Sequence, residues 1–167
     1  MEPSLFDPAV LRVIGKELQD SKQTIAVSES VTSGLLQFAF SNMQDAEKFY
    51  HGGITAYNVG QKYKHLNVEP IHAIGVNCVS QKIADEMALH VAELFNSDWG
   101  TGITGYATAS EESGNQRFAY YSISFRQVIK HSGILQAPAE APPAVQLYYV
   151  TELLTKLKDL LISSNKK

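Results

Sequence analysis

Short β-branched segments alternate with segments of helical periodicity along this sequence, and this alternation constrains the fold more than any other feature. Five segments have apolar residues at helical spacing: 7–22, 32–41, 61–66, 80–95 and 145–162. Five others are typical of strands: 24–27, 49–57, 99–106, 118–125 and 128–135. The pattern predicts an α/β fold with helices on both faces of a sheet.

Length and composition indicate how many folding units to expect. A chain of 167 residues with 44% hydrophobic residues can bury one core without a metal or a disulfide. The proline-rich stretch APAEAPPA at 137–144 is predicted to be a spacer before the last helix. We therefore expect a single domain over residues 1–167.

Charge and composition argue against several classes of function. The formal charge of −3 gives no excess of positive potential, so nucleic acid is not an expected partner. No apolar segment has the length of a membrane span or the form of a signal peptide, so no membrane partner is expected. The single cysteine, Cys78, cannot form an internal disulfide, which favours a reducing compartment. We expect a cytoplasmic protein.

Neither a metal site nor a bound cofactor is expected. The five histidines show no H-x-H or H-E-x-x-H spacing and no accompanying cluster of carboxylates. The glycines at 100, 102 and 105 match G-x-G-x-x-G, but a polar loop follows them where a dinucleotide site requires a helix. These glycines instead allow close approach of a neighbouring strand or a ligand. The loop 108–116 is predicted to cover a site.

The segment SESVTSG at 28–34 lies where a strand ends and a helix begins. If Ser30 is a nucleophile, the amides of residues 31–33 are placed to hold an oxyanion. Alternatively, Ser28, Ser30 or Thr32 only caps the helix, and these residue types are the preferred caps. The local pattern alone favours the cap.

Tyr57 ends the second predicted strand, which contains the pair Gly52 and Gly53, and Lys62 follows five residues later. A lysine acts as a base for serine when burial lowers its pKa, and a tyrosine can orient the proton between them. Both residue types are more often found on the surface, so the pair taken alone does not predict a site.

Three blocks of this sequence, in the same order and spacing, resemble the CinA C-terminal family of nicotinamide-nucleotide amidohydrolases. They are ESVTSG at 29–34, HGGITAYNVGQKYKHLNV at 51–68 and CVSQKIADEMA at 78–88. Thr104 and Gly105 fall in a fourth block, which in that family begins T-G. The resemblance implies a three-layer α/β/α sandwich that hydrolyses nicotinamide mononucleotide to nicotinate mononucleotide and ammonia, in the recycling of pyridine nucleotides.

The resemblance also assigns roles to individual residues. Ser30 matches the family's nucleophile, and Tyr57 and Lys62 match the residues that assist it. The positions implied for substrate binding are Glu29, Val31, Thr32, Gly34, Gly53, Thr104 and Gly105.

The sequence also departs from the family at positions that would contact phosphate. Val31 and Ser33 replace the usual cysteine and glycine, and the loop that is glycine-rich in the family carries Glu111 and Glu112 here. The segment PAEAPPAVQLYYVTE lacks the arginines that the family usually has there. Residues for catalysis are thus retained better than residues for nucleotide capture.

Two hypotheses follow. The protein is an amidohydrolase acting on nicotinamide mononucleotide or on a related small amide that lacks phosphate. Alternatively, it is a catalytically degenerate relative that binds a small molecule or serves as a partner subunit. A homo-oligomer is possible if the tyrosines at 120, 121, 148 and 149 form a surface, although they can equally fill the core.

Overall fold

The computed structural model describes residues 4–166. Its helices are α1 (Pro8–Asp20), α2 (Leu35–Ser41), α3 (Val59–Leu66), α4 (Pro70–Gly75), α5 (Gln81–Leu94) and α6 (Pro142–Asn165), with a 3₁₀ turn at Ala46–Lys48. Its strands are β1 (Ile25–Glu29), β2 (Tyr50–Thr55), β3 (Trp99–Gly105), β4 (Phe118–Phe125) and β5 (Val128–Gln136).

The five strands form one mixed sheet in the order β2-β1-β3-β4-β5. Strand β1 is parallel to both β2 and β3, whereas β4 and β5 are antiparallel to their neighbours. The carboxyl ends of β1, β2 and β3 therefore meet at one edge of the sheet, which is where ligands bind in open α/β sheets. Ser30, Tyr57 and Thr104 all lie at or just after these ends.

Helices cover both faces of the sheet, which confirms the predicted α/β/α architecture. On one face, α1, α2 and α6 enclose a core that includes Ile14, Phe40 and Tyr149, all fully buried. On the other face, α3, α4 and α5 pack around Leu66 and Met87. No helix within residues 4–166 is both long and apolar enough to cross a bilayer.

The helices differ from the predicted ones at three places. Helix α2 begins at Leu35, three residues after its predicted start, because Gly34 occupies the N-cap position. Helix α4 was not predicted, since its six residues are too few to show a helical period. Helix α6 begins at Pro142, inside the predicted spacer, because proline is well suited to the first turn of a helix.

The tyrosines considered for self-association divide between two environments. Tyr121 and Tyr149 are buried in the core on the α6 side of the sheet. Tyr120 and Tyr148 are partly buried. Two of the four therefore fill the core.

The glycines of β3 allow α5 to pack directly on the sheet. A Cβ atom added at Gly102 would lie 2.4 Å from the Ala84 carbonyl oxygen and 2.7 Å from the Ala88 amide nitrogen, both on α5. Gly100 is similarly close to α5, whereas Gly105 lies against β4. The close neighbour of Gly100 and Gly102 is thus a helix, not the strand or ligand that the sequence suggested.

Gly102→Ala is expected to lower the free energy of unfolding by about 2 to 4 kcal/mol, because the new methyl group collides with backbone atoms that cannot move independently. Gly75→Ala is the matched control, since a Cβ there meets nothing within 4 Å. It is expected to be neutral or slightly stabilising. Urea unfolding of both variants measures the difference, and equal stabilities would contradict the packing argument.

Candidate active site

Ser30 and Lys62 are in direct contact, although 32 positions separate them in the sequence. The Nζ atom of Lys62 lies 2.8 Å from the Oγ atom of Ser30. It also donates to the carbonyl oxygens of Ala56 at 2.9 Å and Tyr57 at 3.1 Å. The Lys62 side chain is fully buried, and Ser30 is 7% exposed. An ammonium group has three N–H donors, so these three contacts use all of them.

Burial changes the acid–base properties of Lys62. It lowers the pKa of this amine from 10.5 to about 8, and the nearby Cys78 opposes this effect. A neutral amine keeps two N–H groups for the carbonyls of Ala56 and Tyr57, and its lone pair can then accept the Ser30 hydroxyl proton. The contact with Ser30 and the lowered pKa are the two properties that a base for this hydroxyl group needs.

Glu29 supports the turn that carries Ser30. Its fully buried carboxylate accepts hydrogen bonds from the Thr32 hydroxyl at 2.5 Å and from the amides of Leu36 at 2.9 Å and Gln37 at 2.7 Å. It also accepts one from the Gly34 amide at 3.2 Å. These bonds satisfy amides at the start of α2, as a capping carboxylate does. These hydrogen bonds to Glu29 thus hold the turn after β1 in place.

The hypothesis that Ser28, Ser30 or Thr32 merely caps α2 is wrong. The N-cap position is occupied by Gly34, whose positive φ of 99° suits glycine, and Glu29 supplies the capping oxygens instead. Ser28 donates to carbonyl oxygens of Met87 and Thr101 inside the protein. Ser30 is left free to contact Lys62.

The amides after Ser30 are only in part available to an oxyanion. The Ser33 amide donates to the Ser30 carbonyl at 3.1 Å, so it cannot serve, contrary to the prediction for residues 31–33. Among residues 4–166, no acceptor receives a hydrogen bond from the amides of Val31 or Thr32. Of these two residues, Val31 lines the cavity beside Ser30 and Thr32 does not, so the Val31 amide is the one placed near the hydroxyl group.

A cavity of about 400 Å³ opens above the pair. Of the residues proposed from the sequence, six line it: Ser30, Val31, Tyr57, Lys62, Thr104 and Gly105. The side chain of Tyr57 is 71% exposed, and its hydroxyl forms no hydrogen bond with the described part of the chain. Tyr57 contacts Lys62 through its backbone carbonyl oxygen, which accepts a hydrogen bond from the lysine Nζ atom.

Four residues proposed for substrate binding do not line this cavity. Glu29 and Thr32 are buried and bonded to each other below the turn. Gly34 lies at the start of α2 and donates to Glu29. Gly53 lies within β2, where an added Cβ would be 2.7 Å from the Val27 carbonyl oxygen. The structure therefore gives these four residues supporting or packing positions.

Several cavity residues had not been predicted. Cys78 lines the cavity in a left-handed backbone conformation, with φ of 60°, and its carbonyl oxygen accepts a 2.7 Å bond from the Thr104 hydroxyl.

Gln146 on α6 donates to the Val31 carbonyl at 2.8 Å. Tyr106, after β3, is held through its carbonyl oxygen by the Tyr149 hydroxyl. Cys78 and Tyr106 lie in or beside family blocks that had been assigned no role for them, whereas Gln146 lies outside every block and reaches the site through the packing of α6.

The loop after β3 lies against the cavity, as predicted. Thr108 and Ser110 line the cavity. Ser110 and Ser113 hold the loop by reciprocal hydrogen bonds between their amides and hydroxyls, at 2.9 and 3.3 Å. Within residues 4–166, no three His, Cys, Asp or Glu side chains come together as metal ligands would.

Comparison with known proteins identifies the family. A sequence profile of the CinA C-terminal domain matches residues 8–130. The chain belongs to the CinA C-terminal domain family. A CinA-like protein from Picosynechococcus sp. is 32% identical over 119 residues, and one from Prochlorococcus marinus is 37% identical over 111 residues. These matches cover 71% and 66% of this chain, but only 28% and 26% of the two relatives. The chain thus spans about a quarter of each relative's length.

Solved structures of CinA superfamily proteins have the same fold. One from Klebsiella pneumoniae has a TM-score of 0.88 at 21% identity, covering 96% of this chain and 99% of that one. One from Escherichia coli has a TM-score of 0.85 at 22% identity, covering 97% and 93%. The likeness extends beyond the profile match and includes most of α6, which carries Gln146.

Proposed function

We propose that this CinA-family protein is a serine amidohydrolase, in which Lys62 activates Ser30 to cleave a small carboxamide. The observation that carries the proposal is the 2.8 Å contact between the Ser30 hydroxyl and a fully buried lysine amine. Burial lowers the pKa of that amine to about 8, so a large share of it is neutral at mildly alkaline pH. A hydroxyl beside a neutral amine base is the arrangement that serine nucleophiles require.

The reaction follows from this geometry. Neutral Lys62 accepts the Ser30 proton while Oγ bonds to the carboxamide carbon, and the amide of Val31 is available to the developing oxyanion. The C–N bond then breaks, and the Lys62 ammonium gives its proton to the departing nitrogen, which leaves as ammonia. Water adds to the acyl-enzyme with Lys62 again as the base. This second half releases the carboxylic acid and regenerates Ser30.

The family resemblance suggests nicotinamide mononucleotide as substrate, giving nicotinate mononucleotide and ammonia. The reaction consumes only water, so it needs no cofactor. We assign it to pyridine nucleotide recycling in the cytoplasm. Val31, Thr104 and Gly105 line the cavity with Ser30 and are the substrate contacts that this proposal retains. Tyr57, at the mouth of the cavity, can assist through its hydroxyl only after a change of rotamer, because its side chain is largely exposed.

The rate of ammonia release is expected to rise with pH. Only deprotonated Lys62 can accept the serine proton, and its pKa lies at about 8, so kcat/KM should increase through that pH and level off above it. Ammonia release from nicotinamide mononucleotide and nicotinamide riboside between pH 6 and 10 measures the profile. A rate that falls with pH, or that is constant across this range, would contradict the role of Lys62.

The second candidate function is binding without chemistry, and one observation favours it. Within residues 4–166, Lys62 is the only cationic side chain that lines the cavity, and the contacts to Ser30, Ala56 and Tyr57 already use its three donors, so none is left for a phosphate group. Calorimetry distinguishes the two functions. Binding of a carboxamide without release of ammonia at any pH would support a degenerate relative.

A further inference from the structure

A second hollow of about 390 Å³ adjoins the catalytic cavity. The two share the lining residues Asn77, Val79 and Tyr106. At this junction, the Asn77 side-chain amide donates to the Tyr106 hydroxyl at 3.2 Å. A ligand with its reacting group at Ser30 that extends in this direction would contact Asn77 and Tyr106 and, past their hydrogen bond, the second hollow.

Neither hollow offers a cation to a phosphate group. In the part of the chain that the structure describes, Lys62 is the only Lys or Arg that lines them, and its three donors are already used. Arg117 precedes β4 but lines neither hollow. Phosphate sites in proteins depend on arginine forks, lysines or arrays of backbone amides. A phosphate placed here would therefore bind without an ionic partner.

The charge that is present in the second hollow is negative. Glu112 is one of its lining residues. Hydrogen bonds from its own backbone amide and from the Ser110 hydroxyl hold the pKa of this carboxyl below its ordinary value, so it is ionised at neutral pH. It would repel a phosphate dianion and attract a cation.

Aromatic side chains form the rest of the hollow. Tyr106, Phe118 and Tyr120 line it, with ring centroids 5.4 and 5.9 Å apart in edge-on arrangements. Aromatic faces beside a carboxylate favour flat, electron-poor or positively charged groups. A pyridinium ring linked to a neutral sugar has this chemistry.

We propose, on the basis of the amidohydrolase function above, that the substrate class is an unphosphorylated carboxamide with a neutral or cationic remote part, of the pyridinium nucleoside type. Glu112 and the three aromatic residues are then the specificity determinants. Phosphorylated nucleotides bind less well because the site lacks cations and carries Glu112.

The test compares nicotinamide riboside with nicotinamide mononucleotide. For the wild-type protein, kcat/KM is expected to be at least about tenfold higher for the riboside, as like-charge repulsion and the lost ionic partner disfavour the phosphate. Glu112→Lys should lower the ratio of kcat/KM for the riboside to kcat/KM for the mononucleotide by about three- to tenfold at low salt, and by less at high salt. Glu111→Lys is the matched control, because it makes the same change in charge at the neighbouring residue, which lines neither hollow.

The outcomes separate this inference from the proposed function. A wild-type protein that hydrolyses the mononucleotide faster overturns the substrate class and leaves the amidohydrolase proposal standing. If neither compound releases ammonia, the amidohydrolase proposal fails for both compounds. The substrate class is then judged by calorimetry on the Ser30→Ala variant. In that measurement, tighter binding of the riboside supports the proposed substrate class. Tighter binding of the mononucleotide, or no binding of either compound, overturns it.

Discussion

Ser30→Ala is expected to lower ammonia release by a factor on the order of 10³ to 10⁶, as loss of a covalent nucleophile does in serine hydrolases. The variant should fold normally. The Ser30 hydroxyl caps no helix and contacts only Lys62 among the described side chains, while the turn is held by Glu29 and by backbone bonds. We expect the free energy of unfolding to change by about 1 kcal/mol or less.

Ser33→Ala is the control for this experiment. Ser33 lies in the same turn, is exposed and does not line the catalytic cavity. Its turnover should equal that of the wild-type protein. Intact-protein mass spectrometry during turnover adds a second readout, since only proteins that retain Ser30 can form the acyl adduct. Turnover that survives in Ser30→Ala would contradict the assignment of the nucleophile.

Lys62→Met is expected to have the second largest effect, with turnover reduced by a factor on the order of 10² to 10⁴, the usual contribution of a general base. Stability should change little, or increase. At pH 7 the folded protein bears the cost of a buried ammonium, on the order of 3 kcal/mol for a pKa lowered from 10.5 to about 8. Methionine removes that cost but leaves the Ala56 and Tyr57 carbonyls without a donor, at about 1 kcal/mol each.

The same shift gives the wild-type protein a characteristic pH dependence of stability. Because the pKa of Lys62 is about 8 when folded and 10.5 in the ordinary state, the unfolded chain binds more protons between these values. The Lys62 contribution to stability therefore rises with pH from about 8 to 10.5, and Lys62→Met abolishes this rise. Urea unfolding at several pH values measures it, with Lys64→Met, an exposed lysine of the same helix, as the control. A Lys62→Met variant that loses both activity and several kcal/mol of stability would point to a structural role instead.

The sheet and most helices could be predicted from the sequence because the regular spacing of their apolar residues extends over enough positions to be recognised. The predicted bounds of β4, Phe118–Phe125, agree with the structure, and α5 was predicted to within one residue at each end. Elements of one or two turns do not show a period, which is why α4 was missed. The start of α6 was placed too late because its prolines were taken to indicate a spacer, although they form its first turn.

Site residues could be predicted only where strand pairing brings their segments together or a family block includes them. Parallel pairing of β1 with β2 brings Ser30 and the segment after β2 to one edge of the sheet, and the family blocks marked Ser30 and Lys62. The role of Glu29 was not predictable, because a capping carboxylate five to eight positions before its amides follows no usual capping pattern. Gln146 reaches the site through the packing of α6, which leaves no sequence spacing to detect, whereas Tyr106 directly follows the predicted residue Gly105.

The central claim is that Lys62 becomes a neutral base beside Ser30 at mildly alkaline pH, and direct titration of this amine tests it without any substrate. The measurement follows the Cε resonance of Lys62 by NMR in protein labelled at lysine, with the resonance assigned by its absence in Lys62→Met. We predict a midpoint at about pH 8, well below the ordinary lysine pKa of 10.5. A Lys62 amine that stays protonated to pH 10 would contradict the account.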